Sequence, residues 1–530
     1  MKHLTRHLAA WLAAAVATAA VASVVQTQIN LGELTALGAP VGLAERLRAT
    51  LGDLAGFGAV MTGIALVALL PAFGAGHLLA QRAPSPWRSA IFALAAVVAL
   101  WVAFWLMLHV IPMPAIAATR GAADHALMAA TGFVGGLLYA RMSAPARGPG
   151  KRRRHAALAA MLALVPALLF LVTSPGAAGR LDAVDPASYR VATVARGLER
   201  PWSLAFLPDG RLLVTEMGGR LLAIGADGGS TPIATDGLPP VFQRGRTIGL
   251  MDVAIDPDFE RNGLLYLTMG HGGEGANGTR LVRARLAGER LADVRVLFSS
   301  TPKPRAGNNG GRIAFLPDGT LALTVGDGNW RREEAQNPAN HLGTVVRLDR
   351  EGRAPADNPF VNRPGAAPEI YSLGHRNAQG IAVDPANGDL LLTEHGARGG
   401  DEINRIAAGK NYGWPLVTAG IDYPFGRVTP FRRLAGFEAP LLEWTPSIAP
   451  AGLAVYRGDQ FPGWRGDLLV PALKARAVYR VVRDGGRIVG QQTLLAELNQ
   501  RMRDVKVGPD GAIYVLTDGL DASLLRVTRP

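Results

Sequence analysis

Arg376, Lys474, Arg501 and Arg503 are the residues whose types and positions first suggest chemistry. They fall in three of four segments unlike the sequence around them: Tyr371–Gly380 (YSLGHRNAQG), LLVPALK ending at Lys474, and Gln500–Val505 (QRMRDV). The fourth is Glu394–Pro415, EHGARGGDEINRIAAGKNYGWP. On a strand, Arg501 and Arg503 share a face. Four cations converging on one pocket are costly to bury without an anionic partner. Few carboxylates stand near them in sequence, so convergence predicts a polyanionic ligand. The alternative is four solvated surface cations on separate elements, each contributing little.

The elements that must position these residues repeat. One phrase recurs, a strand, a Pro-Asp-Gly-like turn and a second apolar strand: Ala205–Glu216, Ala254–Thr268, Ala314–Asp327, Ala382–Gly396 and Val507–Asp518, with a degraded copy at Phe461–Lys474. Proline fixes φ, Asp accepts a turn hydrogen bond and Gly takes positive φ, which together make a tight hairpin. Six copies of roughly 50–75 residues match the blades of a β-propeller better than a sandwich or a solenoid. The expected fold is an all-β six-bladed β-propeller over residues 191–530, with inserts between strands building the rim of an axial pocket. The loop Asn329–Leu342 and the insert Tyr423–Phe437 show no pattern. Trp444 is read either as a substrate-stacking ring or as a buried blade-junction residue.

Before the propeller the composition changes. The chain has 530 residues, no cysteine and a formal net charge of +13. That excludes disulfides, Cys-ligated zinc or iron–sulfur sites and c-type haem attachment. A mean hydropathy of +0.17 in so basic a chain implies segregated apolar stretches. Five occur, near 8–25, 59–80, 89–110, 126–140 and 156–172, and predict an α-helical transmembrane bundle over residues 1–176, followed by a linker at 177–190. Ten Lys and Arg residues flank the stretches on one side, from Lys2 to Arg154, against Arg46, Arg48 and Arg120 on the other. The N-terminus is therefore expected in the cytoplasm of a bacterium and the propeller in the periplasm, anchored in the inner membrane. The first stretch also reads as a signal peptide with small residues near Ala20–Ser23. The run Lys151–Arg154 is a topogenic loop, not a nucleic-acid site. Gly132 and Gly136 predict close helix packing. His77 and His109 near helix ends are intramembrane functional candidates.

From about Ala192 to Val527 the chain resembles the soluble glucose, aldose sugar and sorbosone dehydrogenase family. The resemblance rests on GHRNxQG, EHGxRGGDEIN and NYGWP in this order and spacing. It implies a six-bladed propeller that uses pyrroloquinoline quinone (PQQ) and calcium to oxidise a sugar hemiacetal or hydrated aldehyde. By motif, Arg376 and Asn377 would contact the quinone oxygens; Lys474, Arg501 and Arg503 would pair with carboxylates or developing charge. Ser447 and His395 would be further cofactor contacts. The carbonyls of Gly396 and Ala397 would bind calcium, and Asp401, Glu402 and Tyr412 match a second, structural calcium site. Calcium is a hard Lewis acid suited to oxygen ligands and to polarising a carbonyl. Asp327 matches a carboxylate that orients and strengthens the catalytic base.

Two positions depart from the family. Asn308 stands where the family has its basic His, and an amide cannot take the proton. Thr247 stands where a Gln helps hold the quinone. Three outcomes follow: an active enzyme with another base (His375, His395 or a calcium-activated water), a changed substrate class, or a binding or sensing propeller. A redox enzyme is the favoured reading, because a general base contributes about 10²–10⁴-fold and its loss leaves other terms intact. A calcium-dependent propeller lactonase is a further alternative, disfavoured by the convergent cations. With no Cys for haem, analogy with five-span membrane PQQ dehydrogenases suggests ubiquinone as the electron acceptor, with His109 and His125 as candidates for its site; a plain anchor is the alternative.

Overall fold

The computed structural model describes residues 2–84, 87–111, 116–144, 181–423 and 425–530. Packing divides the chain into two compact units, Met1–Ala177 with Gly420–Phe431, and Ala178–Ala419 with Arg432–Pro530.

The first unit is helical: α1 (Lys2–Ala36), α2 (Leu43–Ala55), α3 (Phe57–Ala80), α4 (Arg88–Val110), α5 (Ala122–Ala130) and α6 (Gly132–Ser143). Against the five expected crossings, the described residues hold three helices with the length and apolarity to cross a membrane, within α1, α3 and α4. The fourth stretch is broken at Thr131, whose hydroxyl donates to the Met128 carbonyl at 2.6 Å. Gly132, Gly135 and Gly136 follow, the weakest helix formers after proline. The fifth stretch lies outside the described residues. A Cβ at Gly132 would lie 2.7 Å from the Ala96 carbonyl and one at Gly136 would clash with Phe92, so both glycines allow backbone contact with α4.

The second half of α1, together with Asp53 of α2, forms a polar face that receives the Gly420–Phe431 segment. Asp53 accepts from the Thr27 hydroxyl at 2.8 Å and from the Arg427 amide at 3.0 Å. The Asn30 amide donates to the Val428 carbonyl at 2.8 Å. Thus part of the insert that lacks a sequence pattern folds with the helices.

The second unit contains six antiparallel sheets of four main strands each. Their first strands are Pro201–Phe206, Leu250–Ile255, Gly310–Phe315, Ala378–Val383, Ala454–Val455 and Met502–Val507. These six surround the axis. The sixth sheet is completed by Arg190–Leu198, from the start of the propeller, paired with Ala522–Thr528 at the end. This closes the ring with backbone hydrogen bonds and leaves no free blade edge there. Asp182–Ala183 adds a parallel edge to the fifth sheet.

Arg312, on the third blade, fills the axis. Its guanidinium donates to Gln379 O at 2.8 Å and Ala451 O at 2.7 Å, and lies 3.1 Å from Asp504 and 3.4 Å from Asp252. It also reaches Trp202 O at 3.5 Å and lies over the Trp202 ring. One side chain, 2% exposed, thereby contacts all five other blades.

Candidate active site

In each antiparallel hairpin the start of the first strand and the end of the second share one rim. Asn308, Arg376, Asn377, Ser447 and Arg501 precede or open first strands; Asp327, His395, Gly396 and Lys474 follow second strands. The propeller therefore gathers them at one end of the axis. The Asn308–Arg312 segment folds as it does because Gly310 and Gly311 take φ of +64° and +100°. A Cβ at Gly310 would lie 2.6 Å from Thr324 O, so no larger residue fits. Asn308 itself has φ +39°, which Asn tolerates better than most residues.

Asp327 is fully buried. Its carboxylate accepts from Asn308 Nδ2 at 2.8 Å, the Asn329 amide at 2.7 Å and Trp414 Nε1 at 2.8 Å. Burial raises its pKa, opposed first by Arg376. The pairing expected of a base at position 308 is present, but the partner is an amide. Arg376 is held by its own amide, which donates to Glu394 Oε2 at 2.7 Å, and its guanidinium faces the Trp414 ring. That guanidinium donates to the carbonyls of Gly396 and His395. Asn377 is oriented by its oxygen, which accepts from the Gly310 amide and from Gln379 Nε2, each at 3.2 Å. Its NH₂ is the end left for a ligand, and it suits an acceptor such as a carbonyl.

His395 donates through Nε2 to Pro450 O at 2.7 Å. Burial, then Arg376, push its pKa down to about 3, with Arg503 and Arg501 adding to the effect. The imidazole is neutral and stands among three arginines. Arg501 and Arg503 share Asp518, at 2.7 and 2.9 Å. Burial works against the Asp518 charge, but the two arginines hold its pKa below the usual carboxylate value. Asp518, 15 and 17 residues downstream, is one of the few carboxylates near the cations and neutralises one of the two positive charges. Arg501 also donates to Leu473 O at 3.2 Å, which places it beside Lys474. Lys474 is exposed and forms no ion pair among the described residues.

Thr247 is exposed; its hydroxyl donates to Arg244 O and its carbonyl accepts from Asn309. Ser447 does not point freely into the site, because its hydroxyl donates to Asp401 at 2.7 Å. Asp401 also accepts from the amides of Gly396, Ile448 and Ala449, each at 2.8 Å. It ties the Gly396–Ala397 turn to the Ser447 turn. Glu402 is half-buried, and desolvation followed by Glu394 raises its pKa well above the carboxylate value. It lines a small cavity with Glu394, Gly396, Gly400 and Tyr412. The Tyr412 hydroxyl faces away, donating to Arg405 O at 2.6 Å. Among the described residues no three His, Asp or Glu side chains are grouped to hold a metal.

Of the alternative bases, His375 is fully buried, with Nδ1 on Glu394 and Nε2 on Ser372, each at 2.9 Å. Both nitrogens are used and neither reaches the axis. Trp444 donates to Gln491 and packs edge-on against Tyr479, so it is a blade-junction residue. Sequence reasoning missed Glu394, Gln379, Asn329, Trp414 and Asp518. Trp414 had a signal in NYGWP; that it meets Asp327, 87 residues away, had none.

The sequence model of the Glucose / Sorbosone dehydrogenase family matches residues 198–526. Aldose sugar dehydrogenase YliI of Escherichia coli (strain K12) is 40% identical over 65% of this chain and 94% of its own length. Quinoprotein glucose dehydrogenase B of Acinetobacter calcoaceticus is 28% identical over 61% of this chain and 84% of its own. The PQQ-bound aldose sugar dehydrogenase of Streptomyces coelicolor superposes with a TM-score of 0.52 at 28% identity, covering 65% of this chain and all of that structure. With the six blades, the gathered arginines and a match over most of the propeller, the chain belongs to the Glucose / Sorbosone dehydrogenase family.

Proposed function

We propose that this chain is a membrane-anchored, PQQ- and calcium-dependent dehydrogenase that oxidises an aldose, sorbosone or a related hemiacetal or hydrated aldehyde. The observation that carries the reading is the set Arg376, Arg501 and Arg503 around a neutral His395, with Lys474 next in sequence to the Leu473 carbonyl that Arg501 holds, and with Asp518 the carboxylate ion-paired to Arg501 and Arg503. Such an excess of positive charge suits a polycarboxylate ligand. PQQ, when bound, would supply three carboxylates and an ortho-quinone able to take two electrons. Arg376 and the Asn377 NH₂ would meet the quinone oxygens, while Lys474, Arg501 and Arg503 would meet the carboxylates. His395, Ser447 and Thr247 would line the rest. The carbonyls of Gly396 and Ala397 would hold calcium, whose approach requires the Arg376 guanidinium to leave Gly396. Glu402, with the backbone at Tyr412 and the turn held by Asp401, is the place for a second, structural calcium.

The apolar helices and the Lys/Arg asymmetry support an inner-membrane anchor with the propeller in the periplasm. A membrane quinone is the proposed electron acceptor. His125, buried with Nε2 3.3 Å from Trp101 O, and His109, on Trp105 O, remain the residues to test there. Full-length protein reconstituted with PQQ and calcium should bind PQQ with an absorbance change. It should also reduce a dye with aldoses, sorbosone or simple aldehydes. Binding without turnover on any of them would favour the sensing propeller, for which Asn308 in the base position is the specific support. Absence of PQQ binding would refute both readings.

A further inference from the structure

In water a surface helix buries its apolar stripe and turns its charges outward. α2 does the reverse. Leu43, Leu47 and Leu51 recur every fourth residue, so they share one face, and they are 74%, 58% and 67% exposed. Among the described residues no buried apolar cluster of the helices includes them. The other face carries Arg46, Ala49, Thr50 and Asp53 and is turned inward. Arg46 donates to Gln28 Oε1 and Gln28 Nε2 donates to Thr50 Oγ1, each at 3.0 Å. Asp53 is buried and receives the Thr27 hydroxyl and the Arg427 amide. The same contacts set the height of α2. The apolar stretch of α1 ends at Val25, and Thr27 and Gln28 lie just beyond it. One residue, Gly56, joins α2 to α3, whose Val67 and Leu70 are exposed in their turn. α2 therefore stands where both long helices leave their apolar stretches.

On the reading of these helices as a membrane anchor, we propose that α2 is an interfacial helix. It lies in the periplasmic leaflet at headgroup depth, with Leu43, Leu47 and Leu51 among phospholipid acyl chains and its polar face toward the protein.

Phospholipid is the occupant because of where the leucines stand. They sit at the end of two helices long and apolar enough to cross a membrane, so acyl chains already bathe the surface next to them. Arg48 is exposed and flanks the stripe, and its charge suits a lipid phosphate. The inverted pattern has a consequence for the rest of the unit. Asp53 and Asn30 hold the Gly420–Phe431 segment on the protein side of α2. Seating the leucines in the leaflet fixes that segment at headgroup level.

The test uses the full chain in vesicles of phosphatidylethanolamine and phosphatidylglycerol. The chain has no cysteine, so each single variant takes one spin label. Leu47→Cys and Leu51→Cys probe the face. Val67→Cys on α3 is the lipid reference, and Val489→Cys on the propeller, 59% exposed, is the water reference. Labels at 47 and 51 should collide readily with oxygen and poorly with a water-soluble nickel chelate. They should sit about 5–10 Å below the phosphates, shallower than the label at 67. Labels at 47 and 51 that meet nickel as freely as the one at 489, beside an oxygen-rich label at 67, would overturn the proposal and leave the anchor standing. Spin–spin broadening at 47 would show that a second copy covers the face. Poor collision with both reagents would show that protein covers it. Either result overturns the proposal. A label at 67 as open to nickel as the one at 489 would overturn the anchor reading itself, and the proposal with it.

Discussion

Replacing Arg312 by Met tests whether one buried guanidinium holds the propeller axis. The side chain is 2% exposed and its two partner carboxylates, Asp252 and Asp504, are as deeply buried. Methionine fills similar volume but leaves two acids facing each other without a cation. It also strands the carbonyls of Gln379 and Ala451. Removing one partner of a buried ion pair costs about 3–5 kcal/mol. In domains of 150–250 residues about 1 kcal/mol moves Tm by about 2–4 °C, and a larger propeller lies at the low end, so a fall of about 6–10 °C is expected. Thermal unfolding of the full chain at a fixed scan rate measures it. Lysine keeps the charge but lacks the planar fork that reaches five blades, so Arg312→Lys should lose nearly as much. Adding Asp252→Asn and Asp504→Asn to Arg312→Met should recover part of the loss, because the uncompensated charges are gone. A fall below about 2 °C for Arg312→Met would refute the idea that the axis depends on this residue.

The other expectations follow from neighbouring contacts. Lys474→Ala should leave Tm within about 1 °C, since the side chain is exposed and without an ion pair. It should weaken PQQ binding about fivefold, an exposed charge contributing about 1 kcal/mol, with a shallower salt dependence; an unchanged affinity would remove Lys474 from the cofactor site. Arg376→Ala should tighten calcium binding to the PQQ-free protein by fivefold or more in calorimetry, because it removes both the donor on Gly396 O and a nearby positive charge. Equal affinities would place calcium elsewhere. Gly136→Leu should disrupt the helical unit, where a side chain would meet the Phe92 and Ala93 backbone. Gly63→Leu, with nothing within 4 Å, should be silent. Size-exclusion profiles in detergent distinguish the two.

What was legible in the sequence was what neighbours in sequence decide. The Pro-Asp-Gly phrase specifies a hairpin by local backbone chemistry, and its repetition six times leaves closure into a ring as the way to bury the blade edges. The rim position of Arg376, Asn377, Asp327 and His395 follows from where each sits relative to such a hairpin. What the sequence hid depends on the axis, where residues meet only after the ring closes. Arg312 finds Asp504 and Ala451 across the channel, and Trp414 finds Asp327 from the next blade. The fourth apolar stretch passes a hydropathy test but breaks at Thr131, because glycines selected for contact with α4 also weaken the helix that carries them. The same conflict between local and global demands acts at position 308. There the amide keeps the hydrogen bond to Asp327 and surrenders the proton chemistry.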